Sequence, residues 1–145
     1  NLLLQKLPAP EFTSTVKINV SHLQEGERAG LVMMGNNYSY LSVQQKGGKK
    51  QIVLSEGKGE NCGYIPHEIK NADCPSNDVW LQVKVYPDAT CRYSYSMDGT
   101  HFTTLDDRFE ISKGQWIGAK VGLFCINPDV TDGKGFVDVD YFKVF

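Results

Sequence analysis

The chain has 145 residues, a formal net charge of -2 and four cysteines, enough length for one domain with a real core. This balance of charge argues against nucleic acid or an anionic membrane surface as the main partner. No apolar run reaches the roughly 20 residues needed to span a bilayer, and Asn1-Leu2-Leu3-Leu4 is too short, and lacks the basic start and cleavage site, for a signal peptide.

Residues 1–7 are apolar and read as an edge or closing strand, interrupted by Pro8 and Pro10. From Phe12 to Val20 the chain alternates: Phe12, Ser14, Val16, Ile18 and Val20 face one way, Thr13, Thr15, Lys17 and Asn19 the other. Its β-branched residues support a strand. Residues 22–28 form a charged turn. Gly30 to Met34 is a short apolar strand, and Gly35-Asn36-Asn37 supplies turn chemistry. Tyr38, Tyr40, Ser42 and Gln44 then share a face opposite Leu41 and Val43. Gly47-Gly48 closes that hairpin, and residues 51–55 open the next strand.

Residues 56–77 are the least regular segment, with Gly57, Gly59, Gly63, Pro66 and Pro75. A long loop in a compact domain is often functional. Part of it is expected to pair as a distorted strand near Tyr64 and Ile65. Cys62 and Cys74 flank a polar stretch, so a disulfide between them is expected, with four free thiols in a reducing compartment as the alternative. The cysteine spacing does not match a zinc site.

The stretch from Asp78 to Met97 is two alternating strands joined by a polar bend. Val79, Leu81, Val83 and Val85 occupy one face of the first. Trp80, Gln82, Lys84 and Tyr86 occupy the other. Asp98-Gly99 signals another hairpin, with His101 just beyond it. Phe109 and Ile111 suggest a short apolar strand, and residues 114–118 a bend in which Trp116 plugs a hydrophobic corner. Residues 119–126 read as a core strand, 127–135 as a polar loop and 136–145 as the last strand. No 12-residue stretch has a helical period. Short strands with Gly and Asn turns indicate an all-β sandwich or barrel.

Few residues suggest built-in catalysis. No nucleophile elbow is present, and His22, His67 and His101 lie in or beside turns as surface histidines. A glycosidase would need two carboxylates about 5–9 Å apart in a cleft; the acids mostly sit in turns or on polar faces. Glu25, Glu27, Asp129, Asp132, Asp138 and Asp140 are candidates for a structural calcium, which takes about six to eight oxygen ligands. Asp138 and Asp140 share a face of the last strand. Solvent exposure or pairing with Lys or Arg is the alternative account, and no cofactor is required.

Sugar binding is the more specific reading. A saccharide offers a C–H face that stacks on aromatics and hydroxyls that need hydrogen bonds. Trp80, Gln82, Lys84 and Tyr86 supply that mixture on one strand, with Arg92, Ser94 and Ser96 as expected cross-strand neighbours. Tyr38 and Tyr40 offer a second wall, while Tyr93 and Tyr95 oppose the Arg92 face and suit the core. The alternative is the ordinary polar exterior of a sandwich.

Six segments occur in an ordered series: NLLLQK (1–6), GERAGLVMMG (26–35), YSYL (38–41), YSYSMDG (93–99), GQWIGAKVGLFC (114–125) and VDVDYFKV (137–144). Together they resemble the C-terminal β-sandwich domain of family 43 glycoside hydrolases, the β-xylosidase and arabinofuranosidase group, over nearly the whole chain. The resemblance implies a concanavalin A-like jelly-roll sandwich of two antiparallel sheets, related to xylan-binding modules. It implies that the catalytic carboxylates lie in a separate upstream five-bladed propeller against which the sandwich packs. One sandwich loop helps form the sugar pocket there, and residues 56–77 are the candidate for it. It further implies an extracellular or periplasmic location, and xylan or a xylooligosaccharide as ligand. A purely structural domain shaping the propeller's pocket, and a fragment with β-xylosidase activity, are the alternatives. The sequence departs from the family at Cys62 and Cys74. The family domain usually has a further strand before the segment matching residues 1–6; the expectation is that it is missing here, which would expose a sheet edge or leave a groove.

Overall fold

The computed structural model describes residues 1–35, 37–58, 67–105, 109–111, 119–127 and 134–145. Every regular element among them is a strand. In chain order these are β1 (Leu2–Lys6), β2 (Phe12–Asn19), β3 (Arg28–Met34), β4 (Asn37–Lys46), β5 (Lys49–Lys58), β6 (His67–Asp73), β7 (Asp78–Tyr86), β8 (Thr90–Ser96), β9 (Thr103–Thr104), β10 (Phe109–Glu110), β11 (Lys120–Ile126) and β12 (Asp138–Val144). Two sheets result, with strand orders β1-β11-β3-β4-β5-β6 and β10-β8-β7-β2-β12, and β9 also pairing with β8. Their pairings are antiparallel. This is the sandwich the residue pattern called for; among the described residues the two sheets do not close into a barrel.

One core joins the sheets. Val79, Leu81, Val83 and Val85 of β7 are fully buried and meet Val16 and Ile18 of β2, Leu31 of β3, Leu41 and Val43 of β4, and Ile52 and Leu54 of β5. Burying each such side chain contributes about 1.5–3 kcal/mol. Tyr93 of β8 crosses the gap between the sheets. Its hydroxyl donates to the Ser39 carbonyl oxygen at 2.9 Å and shares a hydrogen bond of 2.9 Å with the Ser39 hydroxyl. Burial drives the Tyr93 phenol well above its ordinary pKa, so it remains a neutral donor.

Three expectations change. The irregular segment contains a full seven-residue strand, β6, paired to β5 from Glu56↔His67 to Gln51↔Asp73. Tyr64 and Ile65 lie outside the described residues. Cys74 is a free thiol whose Sγ donates to the Ser76 carbonyl oxygen at 3.4 Å. Its amide donates to the Lys50 carbonyl oxygen at 3.1 Å. The expected bridge does not form at Cys74; Cys62 lies outside the described residues. Third, β12 does not alternate throughout. A bulge between Val139 and Tyr141 makes Asp140 an extra residue and puts Tyr141 opposite Lys17.

Candidate functional site

The outer face of the second sheet carries a cleft of about 180 Å³ lined by Thr15, Trp80, Gln82, Gly99, Phe102, Tyr141, Lys143 and Phe145. Each strand contributes through its outward parity. On β7 the buried Val79 and Leu81 force Trp80 and Gln82 outward. On β2, Thr15 lies opposite Gln82 and Lys17 opposite Trp80. On β12 the bulge turns Tyr141 and Lys143 to the same side. The loop between β8 and β9 brings Gly99 and Phe102 over the top.

The polar atoms hold the wall in one arrangement. The Trp80 Nε1–H donates to Tyr141 Oη at 2.9 Å. Gln82 Nε2 donates to Thr15 Oγ1 at 2.9 Å, and Ser94 Oγ donates to Gln82 Oε1 at 3.2 Å. The Lys17 ammonium sits 5.2 Å from the Trp80 ring centroid and pairs with Asp140 at 3.0 Å. That bond to Asp140 raises the Lys17 pKa. Lys143 lies 4.3 Å over the Tyr141 ring. Gly99 adopts φ +79°, and a Cβ there would stand 2.8 Å from the Trp80 ring, so only glycine lets the indole lie flat beneath the turn.

That turn is built by Asp98. Its Oδ1 accepts from the backbone N–H of Thr100 and of His101, each at 2.8 Å, and from Ser96 Oγ at 2.9 Å; Oδ2 pairs with His101 Nδ1 at 2.7 Å. The His101 contacts lead in holding the Asp98 carboxyl far below the usual carboxylate range. Asp98 and His101 thus shape a turn, as expected for a surface histidine.

The predicted sugar wall is divided among three places. Trp80 and Gln82 line the cleft. Lys84, Tyr86 and Arg92 lie further along the same face: Lys84 is opposite Arg92, and its ammonium stands 5.2 Å from the Tyr86 ring. Tyr38 and Tyr40 point outward from the other sheet, their rings 6.3 Å apart and within 9° of parallel. Tyr40 is buried, accepts a hydrogen bond from Arg28 Nη1 at 2.8 Å and meets Phe124 edge-on. Tyr38 and Tyr40 border an apolar groove of about 230 Å³ with Leu2, Val32, Met34, Phe124 and Ile126. A groove whose lining is apolar except for Asn1 and the tyrosine hydroxyls suits apolar side chains better than a run of sugar hydroxyls. Thr15, Phe102, Tyr141, Lys143 and Phe145 complete the cleft and were not singled out from sequence.

Three of the calcium candidates, Glu25, Glu27 and Asp140, make other contacts. Glu25 accepts from the amides of Gly47 and Gly48, and Glu27, buried, accepts from Gln24 N–H at 2.8 Å and Gly135 N–H at 3.0 Å. Asp140 pairs with Lys17, and Asp138 is exposed. Among the described residues no three His, Cys, Asp or Glu side chains converge; Asp129 and Asp132 lie outside them, as does Trp116. A calcium held by the described acids would compete with these contacts.

Comparison with known proteins gives this arrangement a context. The sequence model described as "Beta xylosidase C-terminal Concanavalin A-like domain" matches residues 1–144. A β-xylosidase from Formosa agariphila is 30% identical over 131 residues, covering 90% of this chain and 20% of that protein. A putative β-xylosidase from Escherichia coli is 28% identical over 144 residues, covering 90% of this chain and 26% of that protein. The chain therefore spans about a fifth to a quarter of these relatives. Among solved structures, a bifunctional family 43 glycoside hydrolase from Bacteroides eggerthii superposes with a TM-score of 0.85 at 26% identity, over 100% of this chain and 19% of that one. A xylan β-1,4-xylosidase from Bacillus halodurans superposes with a TM-score of 0.79 at 19% identity, over 99% of this chain and 29% of that one.

Proposed function

The chain belongs to the family of concanavalin A-like C-terminal domains of β-xylosidases, and on that premise we propose that it is an accessory domain that binds a xylan-type saccharide chain. It corresponds to the C-terminal module of these enzymes and not to their catalytic part. The observation that carries the saccharide reading is the cleft on the second sheet. Trp80, Phe102, Tyr141 and Phe145 offer aromatic surface, and Thr15, Gln82 and Lys143 offer polar atoms at its wall. At about 180 Å³ it is smaller than the roughly 300–1,000 Å³ of a drug-sized site. It suits one ring of a longer chain, with the remaining sugars lying along the open sheet. Such a domain works outside the cytoplasm, where polysaccharide is met, and holds the enzyme near its substrate.

Titration of the 145-residue chain with xylohexaose, arabinohexaose and cellohexaose by calorimetry tests this. Binding of xylohexaose in preference to the other two is expected. Heats indistinguishable from dilution for all three would end the saccharide reading.

A second reading rests on the other sheet. Its outer face carries the apolar groove of Leu2, Val32, Met34, Tyr38, Phe124 and Ile126, where a solvated sandwich would be polar. In this reading the domain braces a catalytic propeller through that face. Ile126→Glu or Met34→Glu in the whole enzyme would then loosen the domains and lower thermal stability, with sugar affinity of the sandwich unchanged.

A further inference from the structure

Lys84 and Arg92 face each other across the central strands of the second sheet, on its outer side. Directly opposed side chains have Cβ atoms about 4.5–5.5 Å apart, and like charges in that relation repel. Among the described residues no acidic side chain pairs with either; the ion pairs there are Lys17–Asp140 and Asp98–His101. The Arg92 Nε atom is also buried and has no hydrogen-bond acceptor, which leaves a donor of a charged group desolvated and unsatisfied.

Among the described residues the other charges of this face lie apart. Asp78, Asp138 and Asp140 gather at its opposite end. Asp78 accepts from Asn19 at 3.0 Å, and Asp140 is held by Lys17. Asp88, in the turn after Tyr86, accepts from the Thr90 hydroxyl at 2.6 Å. Glu110, opposite Thr90, lines a cavity with Met33 and Ser39 at the mouth of the sandwich. The Tyr86 ring lies beside Lys84 and gives the cation pair an apolar flank.

We propose that Lys84 and Arg92 form a second contact point for the saccharide, one that takes an anionic substituent: the carboxylate of a uronic acid side group or a sulfate ester. Such an anion relieves the repulsion. It also supplies the acceptor that the guanidinium lacks, because rotating the Arg92 head presents Nε and one Nη together, the edge that grips planar oxyanions. Along β7, Trp80 and Lys84 are four residues apart, about 13 Å at strand rise. A chain with one ring on Trp80 therefore reaches Lys84 a few sugars away. The ligand class narrows from neutral xylan to xylan carrying acidic groups. This inference rests on the saccharide reading of the Trp80 cleft.

The test uses the 145-residue chain and three probes: xylohexaose, a xylooligosaccharide of the same length bearing glucuronic acid, and one bearing a sulfate ester. Two exposed ion pairs predict about five- to tenfold tighter binding of an anionic probe at low salt. The preference should vanish in 1 M NaCl and in Lys84→Gln/Arg92→Gln, whose affinity for the anionic probes should fall to its affinity for xylohexaose. The tighter anionic arm names the group. Lys84→Glu should raise thermal stability, by turning a repulsive pair into an attractive one, and abolish the preference. Equal affinity for all three probes, with xylohexaose still dependent on Trp80, would overturn this inference and leave the cleft standing. Anionic probes that bind through Lys84 and Arg92 but ignore Trp80→Ala would overturn the cleft and leave this inference standing.

Discussion

Replacing Trp80 separates a sugar platform from a packing residue. The indole is half-buried, so Trp80→Ala exposes roughly half of the ~150–250 Å² an aromatic can bury, about 2.5 kcal/mol at ~25 cal/mol per Å². Loss of the Nε1–H bond to Tyr141 adds about 1 kcal/mol. A domain of this size loses about 2–4 °C of Tm per kcal/mol, so Trp80→Ala should melt about 7–14 °C lower yet remain folded. The sugar term is worked separately. One sugar face on one indole face covers about a third of the area an aromatic can bury, roughly 60 Å², or ~1.5 kcal/mol. That corresponds to about tenfold in Kd. Trp80→Phe keeps a flat face and loses only the bond to Tyr141, so it should bind xylohexaose within about threefold of the parent while losing about 1 kcal/mol of stability. Calorimetry and urea denaturation on the same preparations read both quantities. If Trp80→Ala loses the stability but binds xylohexaose with parental affinity, the ring is packing alone and the cleft is not a sugar site.

Other consequences follow from contacts at a distance from the indole face. Gly99→Ala places a residue with a Cβ at φ +79° and pushes it into the Trp80 ring; a loss of about 1–2 kcal/mol should appear with a shifted tryptophan emission and weaker xylohexaose binding. Glu27→Gln leaves one acceptor oxygen where the carboxylate served the amides of Gln24 and Gly135. Urea unfolding should show about 1.5–3 kcal/mol lost, with faster hydrogen exchange at the Gly135 amide. The Cys91 thiol is pushed by burial from its ordinary 9.0 up to about 12. Between those values the unfolded chain has released a proton the native one keeps, so stability is full below pH 9 and falls as the pH rises toward 12. Burial pushes Tyr93, Cys74 and Cys125 in the same direction. Urea midpoints at pH 7, 9 and 11 should decline after pH 9, and less steeply in Cys91→Ala.

Strand faces were legible because period-two alternation survives folding. β7 reads Val79, Leu81, Val83 and Val85 inward and Trp80, Gln82, Lys84 and Tyr86 outward in both sequence and structure. The polar bend after Tyr86 also fixed which residues oppose one another, and Ser94 indeed meets Gln82. Alternation does not say which sheet a face belongs to. Tyr38 and Tyr40 point outward as read, but from the other side of the molecule. β6 escaped notice because it is an edge strand exposed along most of its length. His-Glu-Ile-Lys-Asn-Ala-Asp carries the charges that keep an edge from pairing further and little β propensity. Phe102 entered the cleft from a loop, where no period applies.

The last strand shows how closely the candidate site depends on the core behind it. Read without interruption, Val137 to Val144 would send Asp138, Asp140 and Phe142 outward and bury Tyr141 and Lys143. Phe142 and Val144 instead pack against the core, and they do so because Asp140 is an extra residue that shifts the parity. Asp140 and Tyr141 thus fall consecutively on the outer side of the strand. A one-residue slip exchanges the two faces of a strand, so the step that buries Phe142 is also the step that brings Tyr141 Oη within 2.9 Å of the Trp80 indole nitrogen. It also leaves Asp140 pointing out, beside Lys17. The acid that looked like a metal ligand on an apolar strand is thereby the residue whose insertion completes the aromatic wall.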